Sequence, residues 1–155
     1  MESLTVNKKE MAKIHYIKGS ININANATAV WEVLTGPASI KKYVGSDIQT
    51  DWKPGSDIIW EADQGGIKVH DKGKVLEMEE NKLLKHTYWS SAAGTEESED
   101  NSSTITWTLE HTMEGLTTLT YTRENIPTLE ERAMFEEHLP AMLDEIKRLS
   151  EETAV

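Results

Sequence analysis

Cysteine is absent from this sequence of 155 residues. Its absence excludes disulfide bonds, thiolate metal ligands and a cysteine nucleophile. A chain without disulfides fits the reducing environment of the cytoplasm, and we expect the protein to be cytoplasmic. Phenylalanine is also scarce, with one residue against five tryptophans, so most of the tryptophans are expected to belong to the core.

Long apolar runs are missing as well. Residues 1–18 lack the run of about seven or more apolar residues that a secretion signal requires. No stretch approaches the roughly 18 apolar residues of a membrane-spanning helix. We therefore expect a soluble protein with no membrane span.

Basic residues are outnumbered by acidic ones. The chain has 16 lysines and arginines against 27 aspartates and glutamates, which gives a formal net charge of -11. A negative field of this kind repels phosphate backbones, and no basic stripe offsets it. Nucleic acid is therefore not an expected partner.

The remaining composition is that of an ordinary globular domain. Hydrophobic residues make up 37% and charged residues 28% of the chain, which is too apolar for a disordered protein. The length suits one domain with one core. We predict a single domain over residues 1–155, with its core at about 14–151.

Motifs that would indicate a metal, a cofactor or a catalytic site are also absent. The five histidines, His15, His70, His86, His111 and His138, lack metal-binding spacing with a third ligand. There is no Gly-x-Ser-x-Gly elbow, no phosphate-binding glycine-rich loop and no dinucleotide fingerprint. We expect no metal and no cofactor, and an enzymatic role would rest on fold analogy alone.

Strand signals dominate the middle of the chain, from Asp47 to about Glu124, and turn residues separate the segments. Before them, alternation over Ile14–Asn24 predicts a first strand. Residues 27–34, which Asn26 could cap, and residues 38–43 predict two short helices. We therefore expect an antiparallel sheet of about six or seven strands, with two short helices after the first strand.

Two neighbouring segments near the end of this region alternate most clearly. One apolar face carries Ile105, Trp107, Leu109 and His111, and the facing segment carries Leu119, Tyr121 and Arg123. Period-2 patterns of this kind predict a hairpin with one buried face. His111 and Arg123 are its polar exceptions. A hydrogen-bonded core histidine and an arginine that reaches water from a strand end are the structural alternatives to ligand binding.

The last segment, from Thr128 to about Glu151, has the pattern of a long amphipathic helix. Thr128 and Glu131 form a capping box. An apolar stripe then follows at helical spacing, formed by Phe135, Leu139, Met142, Leu143, Ile146 and Leu149. This helix is expected to lie on the sheet.

This order of elements and several local sequences resemble the START-like or Bet v 1-like superfamily, and within it the bacterial domains of the AHSA1 type, named after the activator of Hsp90 ATPase. The resemblance covers about Ile17 to Glu151. The matching segments are 29–35 with Pro37, 51–55, 73–77 and 83–89. At a Gly-Trp pair common on the last helix of such domains, this chain has His138 and Leu139.

The resemblance implies an α+β helix-grip fold, a curved antiparallel sheet closed over a long C-terminal helix. It also implies a cavity between them, which such domains use for lipids, sterols, polyketides or other apolar molecules. We expect this chain to bind a small hydrophobic or amphipathic ligand there. The candidate lining residues are Trp60, Tyr88, Trp107, Leu109, His111, Tyr121, Arg123, Met134, Leu139, Met142 and Ile146.

Two other functions stay open at this stage. The family name suggests a chaperone partner, Hsp90, whose ATPase the domain would stimulate through its charged outer surface. The fold also occurs in enzymes of the cyclase or aromatase kind, in which His111 or Tyr121 would move a proton. The sequence is compatible with a monomer or a homodimer.

Overall fold

The structure of the protein, a computed structural model, describes residues 15–153. The predicted domain limits, 1–155, and the predicted beginning of the first strand at Ile14 reach outside the described residues. In chain order the elements are β1 (Ile17–Ile23), α1 (Ala27–Thr35), α2 (Pro37–Tyr43), β2 (Asp47–Gln49), β3 (Asp57–Gln64), β4 (Ile67–Glu79), β5 (Leu83–Tyr88), β6 (Ser103–Met113), β7 (Leu116–Glu124) and α3 (Leu129–Thr153).

The strands form one seven-stranded sheet in the order β1-β7-β6-β5-β4-β3-β2, and every neighbouring pair is antiparallel. Consecutive strands pair with each other from β2 to β7, and β1 is the edge strand next to β7. The sheet is curved and open. The predicted α+β helix-grip fold, with two short helices after the first strand and a long helix at the end, is confirmed.

The two short helices follow β1 as predicted, with one difference at their beginning. Asn26 does not cap α1 with its side chain. Its Oδ1 instead accepts a hydrogen bond of 2.9 Å from the backbone N–H of Gly115, in the turn between β6 and β7. Pro37 occupies the first turn of α2, where its missing N–H costs nothing. Asn26 therefore joins the start of α1 to the distant hairpin.

The β6–β7 hairpin has the inner face that alternation predicts. Ile105, Trp107 and Leu109 are buried on β6, and Leu119, Tyr121 and Arg123 are buried on β7. Trp107 pairs with Tyr121 across the two strands, and their ring centroids lie 4.7 Å apart in an edge-to-face arrangement. Such aromatic cross-strand pairs stabilise a sheet beyond the area they bury.

The long helix α3 packs across β1, and glycine makes the close approach possible. A Cβ atom at Gly19 would lie only 2.7 Å from Leu139 Cδ2 and 3.2 Å from Leu143 Cδ1. Most of the predicted stripe is buried, namely Leu139, Leu143, Ile146 and Leu149. In the part of the chain that the structure describes, no helix is both long enough and apolar enough to cross a bilayer.

Thr128 is the N-cap of α3, and removing its hydroxyl is expected to destabilise the protein. Its Oγ1 accepts a hydrogen bond of 3.1 Å from the backbone N–H of Glu131. We expect Thr128→Ala to lower the free energy of unfolding by about 1 kcal/mol, because a helix N–H loses its partner. Urea denaturation followed by circular dichroism measures the change. Thr128→Ser keeps the hydroxyl and should match the parent; equal losses in both variants would contradict the capping role.

Candidate functional site

A cavity of about 630 Å³ lies between the inner face of the sheet and the helices. Strands β3, β5, β6 and β7 form one wall, and α3 with the α2 region forms the other. Aromatic side chains supply much of the lining: Tyr43, Trp52, Trp60, Tyr88, Trp107, Tyr121 and Phe135. A cavity of this size and lining can enclose an apolar molecule of small-molecule dimensions.

Two cross-strand rows on the inner face place an apolar and a polar set of side chains next to each other. Each row takes one residue from β5, one from β6 and one from β7. The first row is Leu84, Trp107 and Tyr121, and the second is His86, Ile105 and Arg123. All of these residues line the cavity. The second row therefore places two buried polar side chains, His86 and Arg123, in the cavity wall.

Most of the residues that the sequence analysis selected line the cavity: Trp60, Tyr88, Trp107, Tyr121, Arg123, Met134, Leu139 and Met142. Leu109 and Ile146 do not, because both are buried in the core outside it. Helix α1 packs against β6, β7 and α3 and closes the space in that part of the fold. Whether the lining residues bind a ligand stays a prediction.

The prediction that His111 lines the cavity is wrong. His111 is exposed, as are its neighbours Glu110, Thr112 and Met113. Strand β5 begins at Leu83, whose partner on β6 is Thr108, so the end of β6 has a strand neighbour only on the β7 side. The register also shifts between His111 and Met113. His111 still pairs with Thr117 of β7, but it lies beyond the end of β5 and is left exposed.

Arg123 is buried at the cavity wall, with 5% of its surface exposed. Its Nε donates a hydrogen bond to Ser103 Oγ at 2.9 Å, and its Nη1 donates to Tyr121 Oη at 3.2 Å. The guanidinium carbon lies 3.2 Å from the ring centroid of Phe135 and 4.8 Å from that of Tyr88. The alternative that this arginine reaches water at a strand end is therefore wrong.

A buried carboxylate lies on the other side of Tyr88. The Tyr88 hydroxyl donates a hydrogen bond to Asp71 Oδ2, and Asp71 Oδ1 accepts hydrogen bonds from the backbone N–H of Ser91 at 2.9 Å and from its hydroxyl at 3.1 Å. Burial, followed by the charge of Asp71, raises the pKa of Tyr88 above its usual value. Tyr88 therefore stays protonated and donates its hydroxyl hydrogen to Asp71.

His86 adds an uncharged polar group to the same wall. Its Nδ1 lies 2.9 Å from the carbonyl oxygen of Thr87, so Nδ1 carries the proton and Nε2 is left as an acceptor. Burial lowers the pKa of His86 from its usual 6.5 to about 4; the hydrogen bond to Thr87 opposes this shift, and the charge of Arg123 adds to it. His86 is therefore neutral at physiological pH.

Comparison with known proteins identifies the family. The family model described as "Activator of Hsp90 ATPase homolog 1-like protein", AHSA1, matches residues 24–151. The chain belongs to the AHSA1 family. No curated protein is similar enough to this AHSA1 domain to count as a match.

Solved structures of bacterial proteins resemble this AHSA1 domain over nearly its whole length. ChR145 from Cytophaga hutchinsonii is 30% identical, with a TM-score of 0.74, and the match covers 88% of this chain and 94% of that one. MLL2253 from Mesorhizobium loti is 21% identical, with a TM-score of 0.72 over 90% and 99% of the two chains. The second likeness shows the shared fold alone.

A third solved structure comes from a biosynthetic locus. DynU16, a protein of the dynemicin biosynthetic locus, is 17% identical with a TM-score of 0.69. The match covers 86% of this AHSA1 domain but 46% of DynU16. The domain thus resembles part of a longer chain, and at this identity the likeness again concerns the fold.

Exposed lining residues mark the mouth of the cavity in this AHSA1 domain. They are Lys42, Val44, Met134, His138 and Ala141. Glu145, on the next turn of α3, is held by Arg148, and this hydrogen bond lowers the pKa of the Glu145 carboxyl. Within residues 15–153, no group of three or more histidine, aspartate or glutamate side chains is placed to hold a metal ion.

Sequence reasoning missed two residues that shape the polar side of the cavity, His86 and Phe135. Leu84, His86 and Tyr88 are two residues apart on β5, so they share one face of the strand. The period-2 pattern therefore contained the signal that His86 faces inward with the other two. Phe135 belongs to the predicted helical stripe, one turn before Leu139. Its contact with Arg123 joins α3 to β7, and such a long-range contact leaves no local pattern in the sequence.

Proposed function

We propose that this AHSA1 domain binds a small amphipathic molecule in the cavity between the sheet and α3. The observation that carries the proposal is the cavity itself, about 630 Å³ in volume, with aromatic walls and a buried polar group at one side. Ligand sites in proteins commonly have volumes of roughly 300 to 1,000 Å³, with mostly apolar walls and a few placed polar groups.

The energetics of the lining also support a ligand. A void bordered by indole and phenol rings leaves these rings without packing partners on one side, which costs dispersion energy in the empty protein. An apolar body that fills the space restores those contacts and removes apolar surface from water. The exposed side chains of Val44 and Met134 stand at the mouth, where flexible groups can move aside.

Binding can be tested with N-phenyl-1-naphthylamine, an uncharged probe that becomes fluorescent in apolar surroundings. We expect saturable binding at one site per folded chain, and a higher melting temperature at saturation because the ligand stabilises the native state. Native mass spectrometry of gently purified protein should show a co-purified small molecule. Absence of saturable binding by folded protein, together with only bare protein in the mass spectrum, would count against the proposal.

Filling the cavity is expected to weaken binding of this probe. Met142 lines the cavity from α3, so Met142→Trp places an indole in space that the ligand needs. We expect about a 10-fold loss of affinity with the fold retained, since overpacking of about 1 to 3 kcal/mol falls mainly on the bound state. Calorimetric titration measures it. Met113→Trp is the matched control, because Met113 is exposed outside the cavity; an equal loss in both variants would show that the probe binds elsewhere.

The chaperone and cyclase alternatives have less support from the described residues. The family description names an activator of Hsp90 ATPase, and an ATPase assay with the cognate Hsp90 tests that role directly. A cyclase needs a proton-transfer group inside the cavity. His111, one of the two residues considered for that step, is exposed, and the hydroxyl oxygen of Tyr121 accepts a hydrogen bond from Arg123 Nη1.

A further inference from the structure

The guanidinium of Arg123 is the starting point for an inference about ligand class, which rests on the proposed function. A guanidinium has five N–H donors and no acceptor. Ser103 and Tyr121 take one hydrogen bond each from Arg123. No further hydrogen bond from its N–H groups is formed with residues 15–153. The cation is therefore buried with donors to spare at a cavity wall.

No carboxylate within residues 15–153 balances this charge by direct contact. The ion pairs formed by the described residues all involve other cations. Asp71 is the one buried carboxylate in the described range, and its oxygens are taken by Tyr88 and Ser91. A buried cation without a paired anion is costly unless something satisfies it.

The surroundings of Arg123 orient it for a planar anion. Phe135 stacks on one face of the guanidinium and Tyr88 lies near it, so the free donors lie in the guanidinium plane, at its edge. A carboxylate matches that edge because it can accept two parallel N–H bonds. Neutral His86, which follows along the same cross-strand row, brings no second positive charge.

We infer that the ligand of this cavity is a monocarboxylate with an apolar body, held by a salt bridge between its carboxylate and Arg123. The aromatic walls take the apolar body, and the polar row of β5, β6 and β7 takes the charged end. Lys42 is the other cation of the lining, but it is exposed at the mouth, where water screens its charge.

Matched acid and alcohol pairs test this inference in the unmodified protein. Naphthalene-1-acetate is compared with 2-(1-naphthyl)ethanol, and dodecanoate with dodecanol, as competitors of bound N-phenyl-1-naphthylamine at pH 7. We expect each acid to displace the probe at about 10-fold or more lower concentration than its alcohol, since hydrogen bonds to a charged group exceed neutral ones. Equal potency, a preference for the alcohols, or no displacement by either would overturn the inference.

A variant series then assigns the preference to Arg123. Arg123→Met removes the charge, and we expect it to weaken binding of the acids by about 10- to 100-fold more than binding of the matched alcohols. Arg123→Lys keeps a point charge, and its affinity for the acids should lie between those of the parent and of Arg123→Met. If the parent protein does not bind the probe at all, the proposed function itself is contradicted. If Arg123→Met fails to fold, the acid and alcohol comparison in the parent and the Arg123→Lys variant still decide.

Discussion

Replacing Gly73 with alanine is expected to destabilise the protein by about 3 kcal/mol or more, because the new methyl group would collide with backbone atoms. A Cβ atom at Gly73 would overlap the carbonyl oxygen of Thr87 and lie 3.1 Å from the ring of Trp60. Backbone cannot move aside as a side chain can. The strands β4 and β5 would have to separate where Lys74 N–H donates to Thr87 Oγ1 at 2.8 Å.

Gly19→Ala is the matched control for this prediction. Its Cβ would also meet an atom closer than 3.0 Å, but that atom is the terminal methyl of Leu139, which can change rotamer. We expect a loss of about 1 kcal/mol or less, partly offset by the lower entropy of the unfolded alanine chain. Urea denaturation of both variants measures the difference. Similar losses for the two substitutions would show that the backbone near Gly73 yields readily.

Gly73 links stability to the cavity. Its lack of a side chain lets β4 lie close to β5, and β5 carries part of the cavity wall. Trp60 on β3 contacts both His86 and Tyr88 on β5, with ring centroids 5.5 and 4.9 Å apart. Strand β4 lies between them in the sheet. Close passage of β4 lets these rings meet across it, and a side chain at Gly73 would occupy the space that Trp60 uses.

The fold was predictable from the sequence because its main signals are local. Alternation of Ile105, Trp107 and Leu109 predicted the buried face of β6, and the capping box at Thr128 predicted where α3 begins within one residue. Turn residues separated the strands, and antiparallel neighbours need only short connections. Each of these features depends on residues close together in the chain.

The cavity was less predictable, because its shape depends on how distant elements pack. Leu109 and Ile146 have the same apolar pattern as the true lining residues, and only the position of α1 separates the filled core from the cavity. His111 follows the alternation of β6, but β5, the neighbouring strand on one side, does not extend as far as His111. The contact of Phe135 with Arg123 arises only when α3 lies over β7.

The polar wall of the cavity is costly for the fold and useful for a ligand. A buried arginine, a buried aspartate and a buried histidine lie around Tyr88, where an apolar core of the same volume would carry no desolvation cost. Proteins tolerate such groups where function requires them. The histidine of this group, His86, makes the stability of the protein sensitive to pH.

His86 is expected to make the protein lose stability on mild acidification. The folded state keeps His86 neutral down to a pKa of about 4, whereas the unfolded chain takes up the proton at about 6.5. Between these values the unfolded state binds more protons, so the free energy of unfolding falls as the pH falls from 6.5 toward 4. From neutral pH to pH 4.5 the loss from this residue amounts to about 2 to 3 kcal/mol.

The variant His86→Gln isolates this contribution, because glutamine has an amide that can donate to Thr87 and does not titrate. Urea denaturation at pH 7, 5.5 and 4.5 should give a steeper fall in unfolding free energy for the parent than for the variant, and the difference should grow to about 2 to 3 kcal/mol at pH 4.5. Parallel curves would mean that His86 is protonated as readily in the folded protein as in the unfolded chain. Such a result would place a second positive charge beside Arg123 at acidic pH, and the cavity would then suit a dianion better than a monocarboxylate in that range.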